Sequence, residues 1–317
     1  MRAYVLRRVL LLVPTLVGVS LLAFALANLT PGDPAAELLR RTTDHPPSPQ
    51  AVAETRKELG LDRPLAVQYV SWLGSAMTGD LGISYGTRRP VSTEIFRRIP
   101  RTLELAVPAA IAALLLALVL GVVSAVYRNR WPDQLIRLGS VVGASMPSFW
   151  LALLLIILFS LKLSVLPVAG REAGMRSLVL PILTLALAPT AVLSRFTRST
   201  MLETLEEDYV RTAWAKGAAG WRVVGHHALR NACIPIVTAF GTSLGHLVSG
   251  AVIIETIFLW PGVGKLGVDA ILQRDYPMIQ GFTLYAGVAF VALNLLVDLS
   301  YGLFDPRIRL DAAGARS

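Results

Sequence analysis

Apolar stretches of similar length recur along the chain, separated by gaps that hold most of the charge. Val9–Ala27 runs nineteen positions without a charged residue, and further runs follow at Leu105–Tyr127, Leu138–Ser160, Leu178–Ser194, Ile234–Ile254 and Gly281–Val297. At a helical rise of about 1.5 Å per residue, each approaches the roughly 30 Å of a hydrocarbon core. The pattern predicts an all-α integral membrane protein with six transmembrane helices. The first run follows Arg2, Arg7 and Arg8, a flank that a signal peptide shares, but it exceeds a signal core of roughly 7–15 residues and is read as a retained helix. Leu178–Ser194 and Gly281–Val297 are short, so both helices are expected to continue past the apolar stretch at their cytoplasmic ends.

Composition sharpens this reading. Hydrophobic residues make up 54% of the 317 and charged residues 16%, which excludes a disordered chain and an ordinary soluble domain. The net charge of +9 does not signal nucleic acid, because Lys and Arg sit in the gaps between apolar runs and form no water-facing patch. Their placement sets orientation instead. With the N-terminus inside, fifteen fall in cytoplasmic segments: Arg2, Arg7, Arg8, Arg128, Arg130, Arg137, Arg195, Arg198, Arg211, Lys216, Arg222, Arg230, Arg307, Arg309 and Arg316. Five fall in short outer loops (Lys162, Arg171, Arg176, Lys265, Arg274), and the remaining ten lie between Arg40 and Arg101, in and just past an outer segment too long to count. Both termini are therefore expected in the cytoplasm. Cys233 stands alone, so no intrachain disulfide can form.

The outer segment, Pro31 to Pro100, is polar enough to fold in water. Ser48 can cap a helix with Pro49 at its first position and Gly60 past its end. Asp62-Arg63-Pro64 opens a second, with Leu65, Tyr69, Trp72 and Ala76 on one face. A small helical cap results. Within the spans, Pro108, Pro147, Pro181 and Pro189 interrupt helical hydrogen bonding, and Gly139-x-x-x-Gly143 and Gly241-x-x-x-Gly245 read as packing surfaces. Glu104, Glu255 and Asp298 fall near span ends, within reach of water. Only His246 is central, a candidate for lining a translocation path or for a helix-to-helix hydrogen bond.

Enzyme signatures are missing. Around Gly264-Lys265, Leu259 stands where a P-loop needs Gly and Leu266 where it needs Ser or Thr. His226-His227 are adjacent, without metalloprotease spacing, and no metal site is expected. The informative stretch is 205–231. Glu206, Glu207 and Asp208 supply a negative first helical turn, Gly217 a stop that tolerates positive φ, and Gly220-Trp221 the start of a second short helix. Tyr209, Val210, Ala213 and Trp214 form an apolar patch on the first helix, which reads as a docking surface for a soluble cytoplasmic protein.

The same stretch, EDYVRTAWAKGAAGWRVVGHHALRNACIPIV, resembles the coupling loop of ATP-binding-cassette importer permeases, and most closely the B-type permease of the dipeptide/oligopeptide/nickel group. TPGDP after the first span, LGLDRPLAVQYVSWLGSAMTGDLGISY, RIPRTLELA, ETIFLWPGVGKLGVDAILQRDYPMIQG and NLLVDLSYGLFDPRIRL extend the resemblance over nearly the whole chain, in order. In the broad permease motif, Arg211-Thr212-Ala213 and Gly217 answer the first part, while His227, Leu229 and Arg230 depart from the Ile, Leu and Pro of the second.

The resemblance implies a type I importer permease-like bundle: a first span at 1–30, an extracytoplasmic helical cap at 31–100, a five-helix permease core at 101–304 holding the coupling loop at 205–231, and a cytoplasmic tail at 305–317. It implies Glu207, Tyr209, Val210, Arg211, Ala213, Trp214, Lys216 and Gly217 as ATPase-coupling residues. The implied partners are a homologous C-type permease, two cytoplasmic ATP-binding subunits that hold the ATP and Mg, an extracytoplasmic substrate-binding protein and the lipid bilayer of a bacterial plasma membrane. No cofactor and no catalytic residue are expected in this chain. A peptide is the expected cargo, with nickel or glutathione as alternatives within the group. An ion-coupled secondary transporter would be a rival of another class, but neither paired intramembrane acids nor inverted repeats are found.

Overall fold

In the computed structural model the backbone is described at 2–29, 32–41 and 45–304, and side chains at 12–29, 32–41, 45–245, 247 and 249–297. The described residues form helices α1 (Arg2–Leu29), α2 (Pro34–Arg40), α3 (Pro49–Glu58), α4 (Leu65–Met77), α5 (Val91–Val126), α6 (Trp131–Ser145), α7 (Ser148–Leu155), α8 (Arg176–Leu205), α9 (Asp208–Ala215), α10 (Gly220–Arg222), α11 (Arg230–Ile257), α12 (Val263–Leu272) and α13 (Tyr276–Phe304). π-helical turns at Ile156–Lys162 and Val223–Leu229 follow α7 and α10. Contacts group the described residues up to Thr102 with Pro261–Ala292, and Leu103–Trp260 with the described residues from Leu293 onward.

The first unit contains the segment from 32 to 90. Ser48 Oγ accepts the Ala51 N–H at 3.2 Å, Pro49 opens α3, and Gly60 beyond its end takes φ +67, the punctuation that the sequence carries. Tyr69 and Trp72 of α4 pack against Phe24 of α1, and the Ser20 and Tyr69 hydroxyls share a hydrogen bond of 2.7 Å. Leu65, expected on that face, is exposed. Val91 and Ile95 pack with Val263 and Leu266 of α12 and with Met278 and Ile279 of α13. Residues 263–272, which the sequence leaves as an outer loop, are thus a helix with one face buried. Asp275 organises the turn before α13: its carboxylate accepts from Ser84 Oγ at 2.5 Å and from the Tyr85 and Gly86 N–H groups at 3.1 and 3.0 Å.

Along α5 the side chains turned inward are Leu105, Ala109, Ala113 and Ala117, all buried, while Leu103, Val107, Ile111, Leu115 and Val119 are exposed. Small residues inward permit close helix approach, and large apolar residues outward suit lipid, which offers no hydrophobic penalty. Gly121 shows how close the approach is: a Cβ there would stand 2.4 Å from Thr197 Cβ of α8. Gly143 likewise meets Ala191 of α8, whereas Gly139 faces open space, so this GxxxG pair packs through one glycine only. On α6 the buried positions are Asp133, Ser140 and Gly143, and the outward ones include Trp131, Leu135 and Leu138. Asp133 anchors that helix, taking Arg198 Nε and Nη2 of α8 at 2.7 Å each and Ser124 Oγ at 2.5 Å.

Four helices are long and apolar enough to span a membrane (Leu12–Leu29 of α1, then α5, α8 and Tyr276–Val297 of α13), and two bent pairs raise the number to six if each is one span. As expected, α8 continues beyond Ser194 to Leu205, and α13 beyond Val297 to Phe304. The predicted span Leu138–Ser160 is not one helix. It bends by 109° between α6 and α7. Pro147 lacks an N–H and disfavours helical torsions in the residue before it, and Met146 takes an extended ψ of 123°. Glu255 also departs from expectation: it is completely buried, although its position near a span end suggested contact with water.

Candidate coupling surface

Helix α9 is an elbow between the two long helices of the second unit. Glu206 closes α8 and accepts from Arg128 Nη1 at 3.0 Å. Glu207 is extended, at φ −67° and ψ 146°, and its carbonyl accepts the Val210 and Arg211 N–H groups at 3.0 and 3.1 Å. Of the three expected first-turn acids, then, only Asp208 is helical. Its charge favours the positive end of the helix dipole, and it lies 3.5 Å from Arg211 Nη1.

The elbow ends as the sequence suggests. Gly217 has φ +76; its N–H donates to Trp214 O at 3.0 Å, and the Ala218 N–H donates to Ala213 O at 3.2 Å. These are the two bonds of a Schellman cap, which needs left-handed backbone at the glycine position. The chain then doubles back. The expected second short helix is instead the start of a long helical run, since α10 passes through the Val223–Leu229 turn directly into α11.

That reversal changes which residues of α9 are available to a partner. At about 100° per residue, Tyr209, Ala213, Val210 and Trp214 occupy an arc of about 140°, in that angular order. Its centre is covered: Val210 and Ala213 are buried against Val223, with Leu205 and Ala218 around them. The reading of all four as one exposed patch is therefore corrected, because the chain past Gly217 lays Val223 over the middle of the arc. Its rims remain open, with Tyr209 41% and Trp214 50% exposed. Arg211, Lys216 and Gly217 are also exposed.

Both rim aromatics are held in place. Tyr209 Oη accepts from Asn231 Nδ2 at 2.8 Å, and the Trp214 ring lies 3.3 Å from where a Cβ on Gly220 would stand. Trp221, read from the sequence only as part of a helix start, is 73% exposed, with the Arg222 guanidinium 5.1 Å from its ring centroid. A tryptophan beside a helix-starting glycine and a cation was the signal available for it. The surface therefore combines exposed Tyr, Trp and Arg side chains, the residue types that anchor protein interfaces. His226 and His227 lie edge to face, 5.3 Å apart, in the same turn. The side chain of His246 lies outside the described residues; its backbone falls between Gly245 and Ser249, where the helical run bends by 57°.

Apolar helices with large side chains outward, close helix approach through small residues and an exposed elbow on a bonded cap define a multi-pass helical membrane protein. Residues 117–310 match the family described as "Binding-protein-dependent transport system inner membrane component", and residues 1–106 match its N-terminal counterpart, "Binding-prot-dependent transport system membrane comp, N-term". The chain belongs to this family of importer permeases. It is 44% identical over 306 residues to the glutathione transport system permease protein GsiC of Salmonella typhimurium (strain LT2), covering 96% of this chain and 98% of that protein. It is also 44% identical to the di/tripeptide transport system permease protein DppB of Pseudomonas aeruginosa (strain UCBPP-PA14), covering 98% and 99%. The GsiC of Escherichia coli (strain K12) is 42% identical over 96% of this chain.

Proposed function

We propose that this chain is the permease subunit of an ATP-driven importer of short peptides. The observation that carries the reading is the end-to-end similarity to permeases named for di- and tripeptides and for glutathione, itself a tripeptide. In this reading the chain forms a translocation path with a homologous C-type permease. Two cytoplasmic ATPase subunits bind ATP and Mg, and an extracytoplasmic binding protein delivers the cargo. The fifteen-to-five charge asymmetry supports cytoplasmic termini, which puts the elbow inside and the 31–100 segment outside.

The elbow is the coupling device. Tyr209, Trp214, Arg211 and Lys216, with Glu207 at its entry, engage an ATPase, while Val210, Ala213 and Gly217 keep it stiff. Stiffness matters because a displacement at the docked surface reaches α8 and α11 only if the elbow moves as one body. His246 is carried forward as a candidate for the path. Glutathione as the principal cargo is the second reading, favoured by the similarity to GsiC.

The test is uptake into proteoliposomes holding the chain with its co-expressed permease, ATPases and binding protein, supplied with a dipeptide, glutathione or nickel. ATP-dependent dipeptide accumulation is expected. Uptake of nickel alone would overturn the cargo assignment, and peptide uptake by the purified chain alone would overturn the shared path.

A further inference from the structure

Along α5 and α8 the exposed positions of the spans are apolar, and α11 departs from that pattern. From Leu103 to Val119 of α5 every exposed residue is Leu, Val or Ile, and from Val179 to Val192 of α8 every one is Leu or Val. On α11 the exposed large apolar residues stand only toward its two ends, at Ile234 and Ile253. Between them, among residues whose side chains are described, the exposed ones are Thr242 and Ser249, seven positions apart. At about 100° per residue, exposed Asn231, half-buried Thr238 and Thr242 lie within an arc of about 40°, and Ser249 continues the spacing beyond the bend. His246 falls one turn past Thr242 in the same run.

The hydroxyls of this row are bonded to their own helix. Thr238 Oγ1 donates to Ile234 O at 3.0 Å, Thr242 Oγ1 to Ala239 O at 2.7 Å and Ser249 Oγ to Gly245 O at 3.2 Å. Such a hydroxyl is tolerated in lipid, so these bonds alone do not decide what the face meets. The side chains around them do, because where α5 and α8 turn outward they present Leu, Val and Ile. Thr242 and Ser249 have also committed their one proton inward, so what they offer outward is oxygen lone pairs. Lipid tails have no donor for these, and the backbone N–H groups of a neighbouring helix are already occupied. Water and the N–H groups of a short peptide can donate to them. The row begins at the elbow, since Asn231 Nδ2 donates to Tyr209 Oη at 2.8 Å.

We propose that this face of α11 lines the water-filled path of the cargo, with Thr242 and Ser249 accepting hydrogen bonds from water and from peptide N–H groups as the peptide passes. The proposal rests on the peptide-import reading and adds to it a lining surface whose foot is tied to the elbow.

The test is cysteine accessibility in the assembled importer, purified into lipid nanodiscs, with the lone Cys233 removed by Cys233→Ser. Thr242→Cys and Ser249→Cys place a thiol on the row; Ile111→Cys and Leu187→Cys place one on the outward faces of α5 and α8. The probe is the charged reagent sulfonatoethyl methanethiosulfonate, with modification of this chain read by mass. The two row positions are expected to react at least about tenfold faster than the two controls, because the thiolate is the reacting form and each unit by which apolar surroundings raise a thiol's pKa removes tenfold of it. Trapping the ATPases closed with ATP and vanadate should change the rates on the row and leave the controls alone. Control-like rates at both Thr242→Cys and Ser249→Cys overturn the proposal, whether lipid or another helix covers the face; so do fast rates that ignore the state of the ATPases, which would mark a static crevice. Peptide uptake with control-like rates defeats this proposal alone, and fast, ATP-sensitive rates without peptide uptake defeat the cargo reading alone.

Discussion

Replacing Gly217 by Val isolates the stiffness of the elbow from its surface. The glycine sits at φ +76 with nothing within 4 Å of the position that a Cβ would take, so the substitution meets backbone strain and no clash. Holding a branched residue there costs about 1–2 kcal/mol. Escaping to negative φ instead breaks the bonds from Gly217 N to Trp214 O and from Ala218 N to Ala213 O, at about 1 kcal/mol each. The two routes cost similar amounts, so the native elbow loses about 1–2 kcal/mol either way, a factor of roughly 5–30 in its population over open forms. Coupled ATP hydrolysis and uptake by the assembled importer should fall accordingly, while membrane insertion and thermal stability of the spans hold. Gly217→Asn is the discriminating control, because asparagine tolerates left-handed backbone; it should retain most of the coupling. Wild-type coupling in Gly217→Val, or equal damage from Asn and Val, would refute the argument that left-handed geometry at this residue sets the elbow.

Further outcomes follow from named contacts. Trp214→Ala should weaken ATPase co-purification without destabilising the chain, whereas Val210→Asp, which buries an unpaired charge against Val223, should lower its melting temperature as well. Asp133→Asn weakens the partnership of Arg198 inside the bundle and should destabilise by up to about 3–5 kcal/mol in a denaturant or thermal titration, with much of that recovered when both residues are made apolar. Gly121→Ala overpacks the approach to Thr197 and should cost about 1–3 kcal/mol in the same assay. Tyr85 should titrate late by tyrosinate absorbance, identified by difference from Tyr85→Phe; its stabilising contribution is complete below pH 10 and disappears as pH rises toward about 12.

Some of this was legible in the sequence for a physical reason. Apolar run length is set by bilayer thickness, and caps are set by local backbone chemistry, so four of the six spans, the Ser48–Pro49 start and the Gly217 stop needed no tertiary knowledge. What depends on how distant segments meet was not legible. The Leu138–Ser160 run has the length of one span, yet Pro147 sets Met146 into extended backbone and the run becomes two helices at 109°. The arc of α9 shows the same thing at its smallest scale: periodicity places Tyr209, Val210, Ala213 and Trp214 on one side, but only the position of Val223, ten residues past Ala213, decides that the middle pair is core and the outer pair surface. Within the α9 arc, the residues that brace the elbow are therefore different from those it presents. A substitution at Val210 or Ala213 that abolishes coupling reports on the brace, and only substitutions at Tyr209, Trp214 or their cationic neighbours report on the partner.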